Sequence, residues 1–138
     1  MSFQSFPKVE LHLHHEGAAP AAFIRQLAHE KRIDLSGIFE EDGRYKYENF
    51  THFLSVYEAA CTVLKSPEDF HRLTLEILEN CAQNGAIYVE SFLSPDFCGG
   101  SDVVAWREYL SAIQEASATA QAKFGITAHG IVTCIRPF

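Results

Sequence analysis

The sequence comprises 138 residues, 47% of them apolar and 12% aromatic, and carries a formal net charge of −7. Those proportions support a packed core and exclude wholesale disorder. The acidic balance excludes nucleic-acid polymers and anionic membrane surfaces as partners, because both select a basic face. No apolar run approaches the roughly 20 residues needed to cross a bilayer. Met1–Ser5 lacks the charged and apolar regions of a signal peptide, so a cytoplasmic protein is expected. Cys61, Cys81, Cys98 and Cys134 include no Cys-x-x-Cys pair. Reduced, mostly buried thiols are therefore expected, rather than disulfides or a cysteine-based zinc site.

Residues 8–14 alternate Val9, Leu11 and Leu13 with Glu10, His12 and His14, a period of two that predicts a strand. Pro20 suits the first turn of a helix, on which Phe23, Ile24, Leu27 and Ala28 form an apolar stripe. Residues 34–48 are polar, with Gly37 and Asp42-Gly43, and read as a long loop. Phe50, Phe53, Leu54, Tyr57, Ala60, Cys61 and Leu64 then recur at helical spacing. Ser66-Pro67-Glu68-Asp69 is a fresh helix start: Ser66 caps, Pro67 loses no useful N–H, and Asp69 can bond back. Phe70, Leu73, Ile77, Leu78 and Cys81 carry that helix inward until Asn84-Gly85 ends it.

Residues 86–93 are β-branched and aromatic and fit a buried strand. Ser101 or Asp102 caps the next helix, with a face of Val103, Trp106, Leu110, Ile113, Ala120 and Phe124 and a stop at Gly125. Residues 126–135 form a third strand. The order β, α, α, α, β, α, β implies a parallel sheet with helical crossovers. A parallel strand is ordinarily covered by helices on both faces. The third strand has no helix after it, so the chain reads as the front portion of a larger α/β fold.

His12-Leu13-His14-His15-Glu16-Gly17 is the one dense cluster of chemical groups. Residues two apart on a strand point to the same side, so His12 and His14 can offer two imidazole nitrogens to one metal ion, zinc above all. They close their strand at its C-terminal end, where active sites of parallel α/β folds form. The alternative is a polar strand end with solvated histidines. By the same alternation His15 points away from the pair, as a packing or supporting residue. His29, His52 and His71 are expected to face solvent, and His129 to be structural. Glu90, a carboxylate in an apolar strand, is costly unless paired. An ion pair or hydrogen-bonded support is expected there, with Arg136 a candidate partner.

The stretch Pro7–Ala18 resembles the opening of the adenosine deaminase family, in which a first barrel strand ends in His-x-His followed by an acidic residue and Gly. Phe53-Leu54 with the helix after them, and Gly85–Glu90 leading to Ser94-Pro95, are similar to the family's next segments in order. The resemblance implies the N-terminal portion of a (β/α)8 barrel, with parallel strands at about 8–14, 86–93 and 126–135. It also implies one Zn2+ per full-length chain and hydrolytic deamination of adenosine to inosine, with a purine nucleoside as small-molecule partner. His12 and His14 match zinc ligands. His14, Glu16 and Gly17 match substrate contacts, with Glu16 the acidic residue at the sugar. Phe53, Leu54 and Tyr57 match an apolar gate over the pocket, although an ordinary core stripe explains at least one of them.

Two positions depart from the family pattern. His15 stands where an aliphatic residue is usual, and Phe92 where many adenosine deaminases have Arg. Glu16 and Phe92 also resemble adenine deaminases, so the free base is the alternative substrate, alongside other His-x-His amidohydrolases. The family's third His, its Asp and its His-Ala-Gly-Glu motif have no counterpart in these residues. The 138 residues alone are therefore expected to be inactive, with the parent protein carrying the activity. A non-catalytic role, as a weak metal binder or association module, is the remaining reading.

Overall fold

The computed structural model describes residues 2–136. Three strands, Lys8–His14 (β1), Ala86–Leu93 (β2) and Thr127–Val132 (β3), form one parallel sheet in the order β1-β2-β3. The first crossover carries three helices, Ala21–Lys31 (α1), Phe50–Cys61 (α2) and Pro67–Gln83 (α3). The second carries one, Val103–Phe124 (α4).

Local chemistry sets the helix ends. The Asp69 amide donates to the Ser66 hydroxyl at 3.1 Å, the predicted cap of α3. Asp102, not Ser101, caps α4, accepting from the Ala105 amide at 2.8 Å. Gly125 closes that helix at a φ of +68°. The Asp69 carboxylate accepts from the Lys65 amide at 2.9 Å and from Lys31. Burial would raise its pKa, but these bonds outweigh that cost and hold it below the usual aspartate range.

α3 and α4 pack together and cover one face of the sheet. Ile24, Leu27, Val63, Phe70, Leu73 and Ile77 are fully buried in the main core. Each such side chain contributes about 1.5–3 kcal/mol relative to its exposed state. Val89 and Ile126 anchor a smaller cluster between β2, α3 and α4.

The foot of β1 is pinned by Lys8, whose ammonium donates to the carbonyls of Phe3, Gln4, Phe6 and Asn84. Gly85 sits beside them at a φ of +87°, and a Cβ there would lie 2.5 Å from the Gln4 and Phe6 oxygens. Only glycine satisfies both constraints.

Several sequence expectations are corrected. β3 ends at Val132 rather than 135. In β1 only Leu13 of the three alternating aliphatics reaches the core, and Val9 and Leu11 stay exposed. Val56, Ala60 and Cys61 are the buried residues of α2, whereas Phe50 is 73% exposed. On α4 the buried face runs through Tyr109, Ile113, Ala116 and Ala120, with Val103 outside. Periodicity located these apolar stripes, but packing chose which edge of each stripe to cover. The four cysteines are free, as expected, although Cys134 is exposed. No helix among the described residues is long and apolar enough to cross a membrane.

Candidate metal and substrate site

β1 is irregular where it carries the candidate ligands. Its register against β2 slips between Glu10 and Leu13, and the His12 amide donates to the Glu10 carboxylate at 3.1 Å. Irregularities of this kind re-aim side chains next to functional sites. His12 and His14 emerge on the same exposed face, ring centroids 5.4 Å apart and planes inclined at 53°. Two imidazoles bound at about 2.0–2.1 Å and a tetrahedral angle to one zinc would place their centroids about 5 Å apart. The centroid spacing is that of two imidazoles sharing one zinc ion. Among the described residues no group of three or more His, Cys, Asp or Glu side chains gathers at ligating distance.

Phe92 backs this pair. Its ring centroid lies 4.5 Å from that of His12 and 5.3 Å from that of His14. His14 and Phe92 are register partners across β1 and β2.

Past β1 the chain turns sharply through a short 3-10 segment, Glu16–Ala18. That turn places Glu16 inside the protein, 5% exposed. One carboxylate oxygen accepts from the Tyr57 hydroxyl at 3.1 Å, and the other is buried with no partner. Burial pushes the carboxyl above the usual glutamate range, against the hydrogen bonds from its own amide and from Tyr57. Tyr57 is itself pushed up by burial and by the Glu16 charge. Its ring lies so close over Gly17 that a Cβ there would meet Cε2 at 2.6 Å.

His14, Gly17, Ala18, Phe53, Leu54 and Tyr57 together line one cavity of about 490 Å³. Five of the residues singled out from sequence thus converge on one space. Phe53 and Leu54 are 37% and 39% exposed, so neither is an ordinary core residue, and Tyr57 is half-buried. Around them runs an aromatic belt, Tyr45–Tyr47–Phe53–Tyr57–Phe97, with successive centroids 5.4–6.3 Å apart. A larger cavity, about 680 Å³, lies elsewhere, between β2, β3, α3 and α4. It is mostly apolar and holds none of the candidate ligands.

The remaining titratable groups match expectation at His15, Glu90 and His29 and depart from it at His129, His52 and His71. His15 is buried and faces away from His12 and His14, with its ring nitrogens 2.8 Å from the Ser91 and Thr74 hydroxyls. Burial lowers its pKa to about 4. Glu90 accepts from the Tyr88 hydroxyl at 2.8 Å, the hydrogen-bonded option, and no ion pair among the described residues joins it to Arg136. His129, expected to be structural, is exposed beside Tyr88 and in register with Glu90. His52 is half-buried rather than solvated, and its Nδ1 accepts from the Glu48 amide at 3.2 Å. His71 is half-buried as well, while His29 is exposed as expected. The Glu16–Tyr57 bond was not anticipated. It depends on how α2 meets the turn after β1, which no local pattern encodes.

Comparison with known proteins shows the family and the fold. The family model described as adenosine deaminase matches residues 7–137. An adenine deaminase of Agrobacterium fabrum is 39% identical over 131 residues, covering 95% of this chain and 40% of that protein. The crystal structure of an adenine deaminase from Arthrobacter aurescens superposes with a TM-score of 0.74 at 27% identity, over 91% of this chain and 39% of that one. An amidohydrolase from Burkholderia ambifaria, solved with bound Zn, gives a TM-score of 0.72 at 26% identity, over 94% of this chain and 36% of that one. The chain thus spans about 40% of the length of the curated relatives it matches. Its parallel α/β fold corresponds to part of a barrel, as the family resemblance implied.

Proposed function

The chain belongs to the adenosine deaminase family, and from that premise we propose that it is the front portion of a zinc-dependent barrel enzyme that hydrolytically deaminates an aminopurine. Adenine is the substrate we favour. The observation that carries this choice is the 39% identity to an adenine deaminase across nearly the whole chain. Adenosine, with inosine as product, is the second reading, supported by the family model.

His12 and His14 would hold the metal from the end of β1. A zinc ion in such a site supplies Lewis acidity and makes hydroxide available near neutral pH. Phe92 would cover the two imidazoles on one side. Glu16 is buried behind Tyr57 and does not line the cavity; it would meet the substrate through its unpartnered oxygen only where Tyr57 gives way. Phe53, Leu54 and Tyr57 would close apolar surface over the ring.

The groups that complete the metal shell and move the proton are proposed to lie outside these 138 residues, which alone would be inactive. The test is ammonia release from adenine and from adenosine by the parent protein and by the 138-residue chain. Faster turnover of adenine by the parent supports the reading. Preference for adenosine reverses the substrate choice, and absence of turnover on either purine refutes the deaminase assignment. Turnover by the 138 residues alone refutes the claim of an incomplete site.

A further inference from the structure

His15 lies in the chain between the candidate ligand His14 and the candidate substrate contact Glu16, yet it points into the protein. It is 3% exposed. Thr74 donates its hydroxyl proton to the Phe70 carbonyl at 2.7 Å, so towards His15 it can only accept. His15 Nε2 therefore carries the proton and donates to Thr74. Nδ1, left as the acceptor, receives the Ser91 hydroxyl. The His15 amide donates to the Phe92 carbonyl at 3.2 Å, and the ring stacks on Phe70, 9° from parallel.

We propose that His15 is a positioning residue, whose neutral imidazole ties the end of β1 to Ser91 on β2 and Thr74 on α3 and so aims His14 and Glu16. An aliphatic side chain would fill the same space without the cost of burying an imidazole, but it would leave the strand end free to turn. Two directed bonds to two different elements fix both the position and the rotation of the main chain there. This inference rests on the reading that His12 and His14 bind metal.

The test is Zn2+ affinity of the parent protein by competition with a chromophoric chelator, with the visible spectrum of bound Co2+ as a second readout and Tm as the control for folding. His15→Leu should stay folded, weaken Zn2+ binding severalfold and change the Co2+ spectrum. His15→Gln, whose amide also offers one donor and one acceptor, should restore both. Ser91→Ala, which keeps the ring and removes one anchor, should give a smaller loss in the same direction, and it carries the test if His15→Leu does not fold. Wild-type affinity in His15→Leu overturns the proposal, as does a His15→Gln variant no better than His15→Leu, or an unchanged Ser91→Ala. His14→Ala is measured alongside. If it keeps wild-type affinity, the metal reading itself fails; if it loses affinity while the His15 variants do not, only the positioning role fails.

Discussion

His14 and His15 are adjacent, chemically identical and opposite in circumstance. His14 stands on the exposed face of the sheet beside His12 and Phe92, at the edge of a cavity. His15 is enclosed on the other face, both ring nitrogens engaged by hydroxyls. The same contrast runs along β2: Val89, Ser91 and Leu93 are buried, whereas Tyr88, Glu90 and Phe92 stay partly exposed. One face is consumed by folding and the other is left to chemistry. A residue's contribution therefore depends on its parity along the strand more than on its type.

The largest expected effect falls on the exposed face. His12→Ala or His14→Ala should abolish metal binding and deaminase activity of the parent protein together while leaving its circular dichroism intact; metal analysis and ammonia release check this. Next comes a contrast across a single peptide bond. Leu93→Ala should cost about 2–5 kcal/mol in urea denaturation, and Phe92→Ala distinctly less, because its ring is not enclosed. Equal losses would mean that the two faces are equally packed. Tyr57→Phe should cost about 1–3 kcal/mol by leaving the buried Glu16 carboxyl without its donor, and should raise KM more than it lowers kcat. The smallest effect concerns the helix side alone. Asp69 is held below the usual aspartate range, so its stabilising contribution is complete above the unfolded value of about 3.9 and disappears as pH falls through the lower folded value. The stability difference between wild type and Asp69→Asn should accordingly be present at pH 7 and shrink in strong acid.

Local rules made the elements legible. Ser66, Asp102 and Gly125 marked helix ends through side-chain and backbone chemistry that acts within a few residues, and each does so in the structure. The spacing of His12 and His14 disclosed a shared face for the same reason. What escaped depends on distant partners. Neither Ser91 nor Thr74 could be assigned to His15, from which they lie 76 and 59 positions along the chain. The exchange of Phe50 and Phe53 for Val56 in the core of α2 had a similar cause: the helix carries two adjoining apolar edges, and only docking decides which is covered. Glu90 shows what burial cost can tell: a partner was required, and of the two kinds expected the hydrogen-bonded one is present, from Tyr88 two residues away.

The unequal crossovers have a kinetic consequence. β2 and β3 are joined through α4 alone, whereas the chain passes through α1, α2 and α3 before β1 can pair with β2. Closing the longer loop costs more chain entropy before any contact compensates for it. β2, α4 and β3 should therefore assemble first and β1 dock onto them last. Pulse-labelled amide exchange during refolding would then show β1 protected after its neighbours, so that the histidine pair takes its place only when the surface that orients it already exists.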